Sequence, residues 1–182
     1  LDHQEFLGST RAAIAGEKAG VIRPRRPVVS ACADPEAAEV IRRRCAELDA
    51  PLVEAWRFAR LEKLHAVQGR YGFDLSLNGD CYANLMPALR GRFQMENAVA
   101  AVTAAWQLAR DGLKIPRAAI SRGLQSAKWP GRLEVMVEQP LVLLDGAHNP
   151  AGARELAAYV KEHVPGKKLR LVYASMRDKE KQ

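Results

Sequence analysis

The chain has 182 residues, 48% of them apolar and 27% charged, with a formal net charge of +7. That length buries a core as one domain or two small ones, and the composition is that of a soluble globular protein. No apolar run reaches the roughly eighteen residues of a membrane-spanning helix, and the opening residues Leu1 to Phe6 have neither the basic nor the apolar region of a secretory signal.

Cys32, Cys45 and Cys81 are odd in number, widely spaced and outside any Cys-x-x-Cys pair. They argue against a disulfide framework or a structural zinc site, and fit a reducing cytoplasm. The basic excess suits anionic ligands. Arg42-Arg43-Arg44 and Lys179-Glu180-Lys181 read as solvated faces, because no aromatic residues interleave with them as a nucleic-acid surface requires.

In chain order, Gly8-Ser9-Thr10 leads into a helix from about Thr10 to Val21, ended by Pro24 and Pro27. Pro27 to Ala31 is a short buried strand. Asp34-Pro35 caps and starts a second helix with apolar positions Ala37, Val40, Ile41, Ala46 and Leu48, and Pro51 to Glu54 is the next strand. Strand, helix, strand predicts parallel pairing through a crossover. From Trp56 to Leu89, glycines and the alternation Tyr71, Phe73, Leu75, Leu77 predict antiparallel hairpins with Asn78-Gly79 as a turn, expected to form a peripheral β element. A long helix from about Gln94 to Arg110 carries Met95, Ala98, Val99, Val102, Trp106 and Ala109 on one face, and a shorter one runs from Pro116 to about Gln125.

The richest stretch follows. Trp129-Pro130-Gly131-Arg132-Leu133-Glu134 opens a strand from Leu133 to Val137, and Leu141 to Leu144 is a continuous apolar run expected to be a buried strand. Asp145-Gly146-Ala147-His148-Asn149-Pro150 then ends that strand and opens a helix to Val164 with Leu156, Ala157, Val160 and Val164 inward, followed by a strand from Leu169 to Ala174. A strand end, a small-residue turn and a helix start form a lip suited to phosphates. A guanidinium at Arg132 could meet phosphate oxygens in bidentate fashion. Taken singly, Asp145 is a turn residue and His148 a surface imidazole.

The Trp129 to Glu134 and Asp145 to Pro150 motifs together resemble the start of the C-terminal domain of folylpolyglutamate and dihydrofolate synthases, members of the Mur ligase superfamily. Asp2-His3, Leu7-Gly8-Ser9-Thr10 and Ile14 to Ile22 with Glu17-Lys18-Ala19-Gly20 are similar to a second signature of that family. The resemblance implies an α/β fold: part of a central ATPase domain over residues 1–128, a parallel sheet with helices plus a small antiparallel element, followed over residues 129–182 by the start of a Rossmann-like ligase domain.

It further implies ATP and magnesium as cofactors, with His3 and Lys18 at the metal and Lys18 carbamoylated. A carbamate supplies the hard oxygen anion that magnesium prefers and an ammonium cannot. Asn97 matches the asparagine on adenine, Arg132 the arginine on the phosphates, Asp145 a nucleotide contact, and His148 a position beside the reacting phosphate. The implied reaction adds L-glutamate to a folate or dihydropteroate carboxylate through an acyl phosphate, in a cytoplasmic monomer that uses neither nucleic acid nor membrane. No Gly-x-x-x-x-Gly-Lys loop occurs, since Gly166-Lys167 continues as Lys168-Leu169. A fragment inactive alone is therefore expected. The alternatives are a Mur ligase of cell-wall precursor synthesis and a non-catalytic nucleotide-binding or interaction remnant.

Overall fold

The computed structural model describes residues 10–174. Helix α1 spans Arg11–Ala19 and starts where the Thr10 hydroxyl accepts from the Ala13 amide at 3.1 Å. Asp34 does the same for α2, Pro35–Glu47, accepting from Ala37 at 3.0 Å with Pro35 in the first turn. These side chains satisfy amides that a helix start leaves without carbonyl partners. Strands β1, Val28–Ser30, and β2, Leu52–Glu54, flank α2 and pair in parallel, Val28 opposite Leu52. A small core of Ala19, Ile22, Cys45 and Ala50 seals α1 to α2. On α2 the buried positions are Ala38 and Cys45, and Ala46, expected inward, is exposed. Ile41 and Leu48 of the apolar stripe pack against this core as expected.

After the short helix α3, Ala55–Phe58, three antiparallel strands follow: β3 Ala59–Val67, β4 Arg70–Leu77 and β5 Asp80–Leu85, in the order β3-β4-β5. Asn78 and Gly79 join β4 to β5 with φ of 47° and 91°, both left-handed, as a two-residue hairpin turn requires. The register slips once on each side of β4. Asp74 anchors both irregularities, bonding Lys63 at 2.7 Å across to β3 and accepting from the Asn84 amide at 2.7 Å on β5. It can therefore stay buried as a charge.

This sheet is not peripheral. Phe73, Leu75, Leu77, Tyr82 and Leu85 form the main core with Ala98, Val99, Val102 and Trp106 of α4, Arg92–Arg110. Residues 71–75 are buried without a break, so β4 is covered on both faces. Gly72 and Asp74 disguise this in the alternation. Ala109, one turn beyond Trp106, reaches past the sheet and is exposed. Helix α5, Arg117–Ser126, docks through Ile120 and a bond from the Ala88 amide to the Leu124 carbonyl.

The last elements are β6, Glu134–Val137, antiparallel to β7, Val142–Leu144, and helix α6, Pro150–His163. Asn149 caps α6, accepting from Gly152 at 2.6 Å. Its buried residue is Tyr159, whereas Ala157, expected inward, is exposed. Two further expectations fail here. Leu141, Val142 and Leu144 are 41%, 43% and 49% exposed instead of buried, and residues 169–174 form no strand, with Val172 98% exposed. Among the described residues β6 and β7 pair only with each other, so both outer edges of this ribbon lack a neighbouring strand.

Candidate functional site

The two motifs of the C-terminal third meet in one corner. Gly131 turns the chain with φ 71°, its amide donating to the Glu134 carboxylate at 2.7 Å. Its carbonyl accepts from the Gly146 amide at 2.7 Å, which ties the turn before β6 to the turn after β7. Asp145 completes the tie, one oxygen accepting from the Leu133 amide and the other from the Ala147 amide, both at 2.9 Å. Backbone donors that the turns would leave unpaired are thus gathered on one carboxylate. His148 Nδ1 lies 2.8 Å from the Gly146 carbonyl oxygen. A carbonyl can only accept, so that nitrogen carries the proton.

Arg132 projects from this corner, exposed, with its guanidinium carbon 5.6 Å from the ring centroid of Trp129, itself 62% exposed. Leu133 points the other way and is 1% exposed at φ 44°. Its side chain fits under the first turn of α4: a Cβ added to Gly91 would come within 2.9 Å of Leu133 Cδ1. The corner is therefore plugged onto the helix that carries Asn97.

Asn97 is exposed in the second turn of α4, its amide nitrogen donating to Gln94 Oε1 at 3.0 Å. Lys18 is exposed on α1, which packs on α2. His3 lies outside the described residues. Arg132, Asp145 and His148 are thus brought together, Asn97 sits on the adjoining helix, and Lys18 lies on α1. Among the described residues no three His, Cys, Asp or Glu side chains converge as a metal site.

Supporting residues carried no signal in the spacing. Glu134 and Leu133 hold the turn, and a second contact joins the far end of α6 to α4. There Arg92 grips Glu162 in bidentate fashion, Nε to Oε2 and Nη2 to Oε1, both at 3.0 Å. Its guanidinium also lies 5.2 Å from the Tyr71 ring centroid, and the Tyr71 hydroxyl is 3.0 Å from His163 Nε2. The Arg92 hydrogen bonds hold the Glu162 carboxyl down at about 2. Burial, helped by the neighbouring Glu162, pushes the Tyr71 phenol up to about 12. A cavity of about 360 Å³ opens beside this contact, lined by Gly69, Arg90, Leu143 and Tyr159 among others, and none of the candidate residues lines it.

Residues 131–182 match the family described as Mur ligase, glutamate ligase domain. Over 179 residues the chain is 35% identical to the dihydrofolate synthase/folylpolyglutamate synthase of Bacillus subtilis, an alignment covering 98% of this chain and 42% of that protein. A solved FPGS complex with AMPPCP and folate superposes with a TM-score of 0.81 at 32% identity, over 89% of this chain and 40% of that one. The Mycobacterium tuberculosis folylpolyglutamate synthase complexed with ADP gives 0.79 at 31% identity, over 90% and 37%. The chain spans less than half the length of these relatives. In sequence and fold, it is similar to part of the folylpolyglutamate synthase/dihydrofolate synthase family of the Mur ligases.

Proposed function

We propose that the chain is part of an ATP-dependent ligase that joins L-glutamate to the carboxylate of a folate or dihydropteroate. A carboxylate oxygen attacks the γ-phosphorus, ADP departs, and the glutamate amine then displaces phosphate from the acyl carbon. The corner supports this reading: an exposed arginine and the start of α6 are fastened side by side through Asp145. Such an arrangement neutralises developing phosphate charge with a guanidinium and with amides at a helix N-terminus. Little covalent chemistry falls to the protein, which works by positioning.

In this reading Arg132 meets the phosphates and Asn97 offers a donor and an acceptor to the adenine edge. Asp145 sets the geometry of the nucleotide corner, and His148 stands beside the reacting phosphate. Relatives solved with ADP or with AMPPCP and folate support the ligand classes. Magnesium, held by His3 and a carbamoylated Lys18, belongs to the same proposal. It is supported by the family signature and by the solvent exposure of Lys18. The boundary near residue 128, a monomeric state and a cytoplasmic setting complete the proposal.

The test is glutamate- and folate-dependent ADP release by the full-length protein, with Arg132→Ala and Asp145→Ala beside the parent. Both variants should raise the KM for ATP, by about tenfold or more for a lost charge-assisted contact. Unchanged kinetics in both would remove the nucleotide assignment.

A further inference from the structure

We propose that Arg92 and Glu162 are positioning residues, which hold the Arg132–Asp145–His148 corner in register with the helix carrying Asn97. This rests on the nucleotide reading of the corner given above. Helix α6 has 14 residues, a rod of about 21 Å. One end begins in the corner, at Asn149. Its other end carries Glu162 and His163, which bond Arg92, the first residue of α4, and Tyr71 at the start of β4. The corner itself touches the start of α4 through Leu133 beneath Gly91.

Three contacts therefore close a triangle: corner to α4 through Leu133, corner to the end of α6 along a rigid helix, and that end back to α4 through Glu162 and Arg92. With the third side in place, the orientation of Arg132 relative to Asn97 is determined. Without it, the far end of α6 keeps only its Tyr71–His163 and Tyr159–Gly69 contacts, and the orientation is held less tightly. A nucleotide that must meet Asn97 with its base and Arg132 with its phosphates binds only the fraction of molecules in which both are aligned.

The placement of Glu162 argues for a specific purpose. A carboxylate in the last turn of a helix faces the negative end of the helix dipole, and an arginine in the first turn of α4 faces the positive end. Both are on the unfavourable side of their own helices. Their mutual bidentate bond offsets this, and 70 residues of chain separate the two partners. Neither residue is required to touch the nucleotide.

The test uses the full-length protein and ATP, with Kd from calorimetry and the KM-against-kcat split from ADP release, at a temperature well below every variant's melting midpoint. Glu162→Gln and Arg92→Lys should each raise the Kd and KM for ATP about two- to fivefold, the scale of an exposed ion pair. Turnover at saturating ATP should stay within about twofold, as expected where only the competent fraction changes. The exchange Arg92→Glu with Glu162→Arg puts each charge on the favourable side of its helix dipole, and should return ATP affinity to near the parent value. Should Glu162→Gln fail to fold, Arg92→Lys and the exchange carry the same comparison.

Parent-like ATP affinity in Glu162→Gln and Arg92→Lys, beside weakened binding in Arg132→Ala, would overturn the positioning role and leave the corner intact. Lowered melting midpoints without a change in Kd would overturn it equally. An exchange variant that folds but does not recover affinity counts against it as well. Parent-like binding in Arg132→Ala would instead remove the nucleotide reading itself.

Discussion

Leu133→Ala separates the two physical demands made at the corner, burial and a left-handed backbone. The leucine is 1% exposed and inserts under Gly91 of α4. Burying such a side chain contributes about 1.5–3 kcal/mol, and truncation to alanine in a site that cannot collapse costs about 2–5 kcal/mol. The Leu133 amide is bonded to Asp145 and the neighbouring turns are cross-tied at Gly131 and Gly146, so the backbone there has little freedom to close over the space. A loss of about 3–4 kcal/mol is expected, which lowers the melting midpoint by roughly 6–16 °C for a chain of this size.

Leu133→Gly isolates the backbone contribution. At φ 44° an L-residue bears a left-handed cost of about 1–2 kcal/mol, which alanine retains and glycine does not. Against this stands the greater freedom of glycine in the unfolded chain, about 0.5–1 kcal/mol. The glycine variant should therefore melt at or slightly above the alanine variant, where an ordinary helical position would put it clearly below. Thermal unfolding followed by circular dichroism measures both. A Leu133→Ala protein melting within about 2 °C of the parent would refute the burial reasoning, and a glycine variant well below alanine would refute the strain reasoning.

Glu162 has its carboxyl depressed to about 2 in the fold, from 4.5. Its contribution to stability is fully present above pH 4.5 and drains away as pH falls through about 2, so the acid limb of the melting midpoint should be shallower in Glu162→Gln than in the parent. Tyr71 has the opposite sign: its phenol is raised from 10 to about 12, so its share is present below pH 10 and lost as pH rises through 12. Tyr71→Phe should flatten that alkaline limb, and parallel limbs in parent and variant would remove either assignment. Thiol labelling should discriminate sharply, because Cys81 is exposed whereas burial of Cys45 pushes its thiol up. Mass spectrometry of the native protein after brief reaction with a maleimide should find Cys81 modified and Cys45 protected until denaturant is added. Equal labelling would contradict the core drawn between α1 and α2.

Local features were legible in the sequence because their causes are local. Asp34-Pro35 and Asn149-Pro150 cap helices with their own side chains, and Asn78-Gly79 supplies two left-handed residues in a row. Features that need a partner far along the chain were not legible. Alternation in β4 predicts one buried face, yet residues 71–75 are buried on both, and nothing near Asp74 announces that Lys63 and Asn84 will satisfy it. Ala46, Ala109 and Ala157 fit an apolar stripe and still face water, because a stripe gives a direction and only the neighbouring element decides how much of it is covered. At the candidate site, the strand end, turn and helix start put Asp145 and His148 on one lip, and the Gly146–Gly131 bond fastens the turn of Arg132 beside it. The plug formed by Leu133 and the bond from Arg92 to Glu162 had no local cause to betray them.

Asp145 illustrates how structure and proposed chemistry occupy one side chain. A carboxylate has about four acceptor positions, and the Leu133 and Ala147 amides use two of them, one on each oxygen. The remaining capacity suits a polar ligand, but the two bonds already made do something a ligand contact could not. They join the turn bearing Arg132 to the turn that opens α6, so the guanidinium and the helix N-terminus reach a phosphate as one preorganised unit. Asparagine at this position keeps one acceptor oxygen and presents an NH₂ group to a backbone amide that also donates. A donor would then face a donor across 2.9 Å, and one of the turns must move away. By this reasoning the near-isosteric Asp145→Asn should separate Arg132 from α6 almost as effectively as Asp145→Ala, and the loss should appear in ATP affinity before it appears in any step of bond making.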